Sequence, residues 1–73
     1  MNDLTLMRKI FINEVNGLNK CLKRYLNDCD FVMFGYTLTK RGSYIDIAFK
    51  LGIISYKEYE KISSDEKFEI IQL

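Results

Sequence analysis

A mainly α-helical chain is predicted, with one long N-terminal helix, one short β-strand or hairpin, and then two or three short helices. Three observations predict it. Residues 3–28 hold a helical apolar stripe and no proline, the pattern switches to alternation after Asp30, and start and stop signals for helices flank Gly52 and Ser55.

The first helix is placed at residues 3–28, with Asp3 as its N-cap. Phe11, Val15, Leu18, Leu22, Tyr25 and Cys29 follow one another in alternating steps of four and three, which lines them along one face of a helix. Leu4 and Met7 extend the stripe backward, and Ile10, Ile12, Cys21 and Leu26 widen it beyond a narrow coiled-coil seam. Lys9, Asn13, Asn16, Lys20, Lys23 and Asn27 make the opposite face. Gly17 sits mid-helix, where it permits a bend or a close crossing.

Beyond Asp30 the helical period is lost. Val32, Phe34, Tyr36 and Leu38 alternate with Met33, Gly35, Thr37 and Thr39, so residues 32–39 are predicted as a strand. Two continuations follow. In one, Lys40, Arg41 and Gly42 form a hairpin loop and residues 43–49 return as a second strand. In the other, which is favoured, Ser43 caps a helix over residues 44–51, with Asp46 three positions on and Gly52 and Ile53 as its C′ and C″ residues.

Ser55 and Glu58 have the spacing of a capping box, which starts a helix over residues 56–63 that buries Tyr59 and Ile62. Ser63, Ser64, Asp65 and Glu66 offer a further start for residues 65–72, with Phe68, Ile70, Ile71 and Leu73 as the final apolar residues.

The 73 residues support a single small domain. A domain of that size buries only roughly 60% of the surface its unfolded chain exposes, so it needs support from disulfides, a metal or another protein surface. Cys21 and Cys29 are eight positions apart on one predicted helix. They are therefore about 12 Å apart along the axis, beyond disulfide reach. Histidine is absent, and two thiols do not complete a structural zinc site. Association with protein remains, as a homo-oligomer or on another partner.

No secretory leader and no run long enough to span a bilayer is visible, so a cytoplasmic protein with reduced thiols is expected, with no membrane partner. The net charge of +1 gives no broad field for nucleic acid. The abundance of Lys, Ile, Asn and Tyr suggests an AT-rich coding sequence, as in a phage or mobile element of a low-GC bacterium.

Catalysis is not expected. Without histidine the commonest general base is missing, both cysteines lie in a helix body, and the pairs Glu58 with Glu66 and Asp28 with Asp30 lack supporting groups. Gly17, Gly35, Gly42 and Gly52 are scattered and make no phosphate loop, so no cofactor is expected.

A strand, a helix, a glycine turn and a capped second helix give an order that resembles the ribbon-helix-helix DNA-binding proteins. The resemblance covers about half the chain. It implies a dimer whose paired strands enter the major groove, with Thr37, Thr39, Lys40 and Arg41 as nucleic-acid contacts. The chain departs from that pattern in its long leading helix, its short first helix after the strand, and an extra Ile in the turn from Gly52 to Ser55.

The leading expectation is a non-enzymatic protein–protein interaction protein, a regulator or inhibitor that docks on a larger partner. Hydrophobic residues form 48% of the chain and aromatics 14%, more apolar surface than so small a monomer readily hides. Phe11, Val15, Leu18, Leu22, Tyr25, Phe34 and Tyr36 are the expected partner-binding residues.

Overall fold

The computed structural model describes residues 3–72, so the predicted role of Leu73 lies outside the described residues. Among them the chain forms three helices, α1 (Asp3–Asn27), α2 (Phe31–Lys50) and α3 (Tyr56–Ser64), and then a non-helical tail. The mainly α class is as expected.

α1 turns Phe11, Val15, Asn19 and Leu22 inward. Its end is fixed by a pair of backbone bonds, Asp30 N–H to the Tyr25 carbonyl at 2.8 Å and Cys29 N–H to the Leu26 carbonyl at 3.1 Å. This is a Schellman closure, and it requires a left-handed residue at position 29, where Cys29 has φ 56°. Asp30 then starts α2, its carboxylate accepting the Met33 N–H at 3.2 Å. One residue thus closes one helix and opens the next.

Such a short connection makes α1 and α2 antiparallel neighbours. Two contacts set their alignment: the Phe11 and Tyr44 rings stack at 5.6 Å, and Arg41 Nε donates to Asn19 Oδ1 at 2.7 Å.

The predicted strand over residues 32–39 is absent, and so is a separate helix starting at Ser43. Both segments belong to α2, with Lys40, Arg41 and Gly42 inside the helix and not in a hairpin loop. The reason lies in which residues face inward. Thr37, Arg41, Ile45 and Ala48 are the buried residues of α2, at helical spacing, and two of the four are polar. Val32 is 82% exposed and Tyr36 65% exposed, so the alternating apolar residues never shared a buried face. Asp30, not Ser43, supplies the cap.

The stop at Gly52 is as expected. Gly52 adopts φ 74°, its N–H reaches the Phe49 carbonyl at 3.0 Å, and the Ile53 N–H reaches the Ala48 carbonyl at 2.9 Å. The capping box of α3 is also formed in both directions, Glu58 N–H to Ser55 Oγ at 3.2 Å and Ser55 N–H to Glu58 Oε1 at 2.8 Å.

α3 lies against α2 through Phe49, whose ring is 4.9 Å from that of Tyr59, and through the Tyr59 hydroxyl, which donates to Asp46 at 2.8 Å. Arg8 joins α1 to this corner by a forked pair with Glu58 at 3.1 and 2.8 Å and a bond to the Ile53 carbonyl at 2.9 Å. The apolar interior consists of Phe11, Val15, Leu22, Ile45, Ala48, Ile53, Ile54, Ile62 and Phe68.

Residues 65–72 are not the helix the sequence predicts. Asp65 caps a turn, its carboxylate accepting the Lys67 and Glu69 N–H groups at 3.0 and 2.9 Å, and Phe68 takes φ 55°. The main chain then pairs with asparagines of α1. Asn19 donates to the Glu69 carbonyl at 3.0 Å, while Asn16 bonds both the N–H and the carbonyl of Ile71. Backbone groups satisfied by side chains need no helix.

A candidate protein-contact face on the helical hairpin

The expected partner-binding residues separate into two groups. Phe11, Val15 and Leu22 are at most 2% exposed and pack inside the chain, Leu18, Tyr25 and Phe34 are half-buried, and Tyr36 is open. Of the expected nucleic-acid contacts, Thr37 and Arg41 are buried, while Thr39 and Lys40 are exposed. The Thr39 hydroxyl donates to the Gly35 carbonyl at 3.1 Å within its own helix.

Arg41 is an internal strut. Its guanidinium bonds Asn19 and the Ile62 carbonyl, the latter at 3.0 Å, and lies 5.4 Å from the centre of the Phe68 ring. Burial pulls its pKa below the ordinary value, and the nearby Asp65 charge opposes that shift. A hollow of about 410 Å³ lies between the end of α3 and the tail beside Lys61, Asp65 and Glu69. Its Asp65 carboxylate is already engaged by the tail amides. Among the described residues no group of three or more His, Cys, Asp or Glu side chains is placed to hold a metal ion.

The face without such internal use lies on the side of the hairpin away from α3 and the tail. Met7, Ile10, Glu14, Leu18, Cys21 and Tyr25 succeed one another along α1 in steps of three, four, four, three and four. Met33, Tyr36, Lys40, Tyr44, Ile47 and Leu51 repeat the same steps along α2 and its C-cap. At 3.6 residues per turn each set forms one stripe, rotated to one side of the stripe that faces the core.

Near the start of α1 the two stripes border a groove of 240 Å³, with Met7 and Ile10 on one wall, Tyr44, Ile47 and Leu51 on the other, and buried Phe11 beneath. Ile10 is 50% exposed, Ile47 54% and Leu51 64%. At the far end Tyr36 and Val32 continue the apolar surface.

Within the spans from Met7 to Tyr25 and from Met33 to Leu51 two charges stand on this surface, Glu14 and Lys40, one per stripe, and Asp3 lies one turn before Met7. Neither Glu14 nor Lys40 belongs to the ion pairs found among the described residues, Arg8 with Glu58 and Arg24 with Asp28. Burial, and then the Glu14 carboxylate, push the phenol of Tyr44 above its usual pKa.

Of the α1 stripe only Leu18 and Tyr25 were among the expected partner-binding residues, grouped there with the buried Phe11, Val15 and Leu22. Met33 was missed as a contact residue because residues 32–39 read as a strand, and Ile47 and Leu51 because they fell in a separate short helix expected over residues 44–51 instead of on one helix with Met33 and Tyr36. The repeated step pattern in the two segments was the available signal.

No helix among the described residues is long and apolar enough to cross a membrane. No family model, no curated protein and no solved structure matches this chain.

Proposed function

We propose that the chain is a non-enzymatic protein–protein interaction module that docks through the paired stripes of α1 and α2. The observation that carries this reading is the groove between Met7, Ile10, Ile47 and Leu51, with large apolar side chains about half open to water. Full burial of one such side chain contributes about 1.5–3 kcal/mol, so covering the open half of several supplies a docking free energy of several kcal/mol. The interior polar groups support the same reading, since Arg41, Asn19 and Asn16 are engaged in holding the fold. The ribbon-based DNA reading is not carried forward: residues 32–39 are helical and Arg41 is internal.

Two exposed positions test the face without touching the core. Ile10→Asp and Ile47→Asp should each leave helicity by circular dichroism unchanged and abolish association with protein, read as solution mass and as proteins retained by the immobilised chain. Retention and mass equal to those of the unaltered chain in both variants would refute the reading.

A further inference from the structure

The stripes carry information about what covers them. Met7, Ile10, Ile47 and Leu51 line one groove, and the three-residue turn between α1 and α2, with the Phe11–Tyr44 stack and the Arg41–Asn19 bond, gives an alignment that matches Met7 with Leu51 and Ile10 with Ile47. Because α1 and α2 run antiparallel, each step along one stripe is matched by a step back along the other. The match continues through Glu14 with Tyr44, Leu18 with Lys40, Cys21 with Tyr36, and Tyr25 with Met33.

A twofold axis parallel to the helices, lying in the plane of this face, preserves these levels. It lays α1 of one copy over α2 of another, antiparallel, so that Ile10 meets Ile47, Met7 meets Leu51 and Tyr25 meets Met33 across the interface. Glu14 then lies opposite Tyr44 of the second copy and one helical turn from Lys40 of that copy. Every helix also has antiparallel neighbours, the arrangement that opposes macrodipoles favour.

An isologous contact must be complementary to itself. A face with two acidic side chains would repel its own copy. Between Met7 and Tyr25 on α1 and between Met33 and Leu51 on α2 this one has one acid, Glu14, and one base, Lys40, each third in its stripe and neither with an ion-pair partner among the described residues, while Asp3, one turn before Met7, lies beyond the matched span. Glu14 and Lys40 therefore neutralise each other twice in a symmetric pair, and the rest of the matched span is apolar or aromatic apart from Cys21.

We propose that the occupant of this face is a second copy of the chain, and that two hairpins close into an antiparallel four-helix bundle with α3 and the tail outside. The inference rests on the docking-face reading above and names its partner.

The test is sedimentation equilibrium of the full chain over a roughly hundredfold concentration range at low salt. The expected mass is twice 8.7 kDa. Glu14→Lys and Lys40→Glu should each weaken association about tenfold, since each change acts at two symmetric places. The double variant should return to within about twofold of the original affinity. Ile47→Asp and, separately, Ile10→Asp should be monomeric.

A mass of 8.7 kDa at every concentration overturns the proposal. So does a dimer that survives both Asp variants, or a double charge variant that is weaker than either single one. A monomeric chain that retains another protein, and loses it in Ile47→Asp, removes the second copy as occupant but leaves the docking face standing. If the chain is monomeric and retention is the same in both Asp variants, both readings fail.

Discussion

Asn16 holds the backbone of Ile71 at both its polar groups, accepting the Ile71 N–H at Oδ1 at 2.7 Å and donating from Nδ2 to the Ile71 carbonyl at 3.3 Å. A carboxamide placed this way does for one residue of the tail what a neighbouring strand would do. It is the contact through which α1 fixes a segment that has no regular structure of its own.

Asn16→Ala should therefore loosen the tail selectively. Two hydrogen bonds at about 0.5–1.5 kcal/mol each predict a loss of about 1–3 kcal/mol in local docking. Amide hydrogen exchange checks it. The Ile71 amide should exchange faster by about tenfold or more, while the amides of Val15 and Ile45 keep their protection.

Glu58 links stability to pH. Its hydrogen bond to Arg8 comes first among the causes that lower its pKa from an ordinary 4.5 to about 2, and its bonds to Ser55 act in the same direction. A folded-state value below the unfolded one means stability that is present above about pH 4.5 and is lost as pH falls toward 2. Since both side chains keep some solvent contact, with 31% exposure for Arg8 and 22% for Glu58, a contribution of about 1–2 kcal/mol is expected. Urea midpoints measured between neutral and acid pH should show this loss, and Glu58→Gln should lower the neutral-pH midpoint and flatten the acid slope.

Cys29 occupies a left-handed position at φ 56° that glycine adopts without steric penalty. Cys29→Gly should raise stability by about 1 kcal/mol. Gly42 poses the opposite case. It sits inside α2, and an added Cβ would meet nothing within 4 Å, so Gly42→Ala should stabilise by about 0.5–1 kcal/mol. Thermal melts of the two single variants and the double one should show near-additive gains, as expected for distant sites.

Local signals in the sequence were readable, whereas tertiary ones were not. The Gly52 stop and the Ser55–Glu58 start depend on residues within a few positions of one another, and each formed as the pattern indicates. The inward stripe of α2 includes Thr37 and Arg41, which an apolar period cannot register, while Val32 and Tyr36 imitate a strand from solvent-facing positions. Asp65 was readable as a capping residue, but its carboxylate serves a turn because Asn16 and Asn19 take the following backbone groups. On α1 one broad apolar face proved to be two stripes, and only the packing of α2, α3 and the tail decides which of them stays open.

The Arg41–Asn19 bond has a bearing on how the chain selects one alignment of its helices. Apolar side chains such as Val15, Leu22 and Ile45 tolerate sliding, since neighbouring turns offer similar surfaces. The guanidinium does not. A slip of one turn displaces it by about 5.4 Å, parting it from Asn19 and from the Ile62 carbonyl and leaving a buried charge without partners. Misaligned pairings are penalised far more than the native one is strengthened, so the bond acts as a key to the correct register more than as a source of strength.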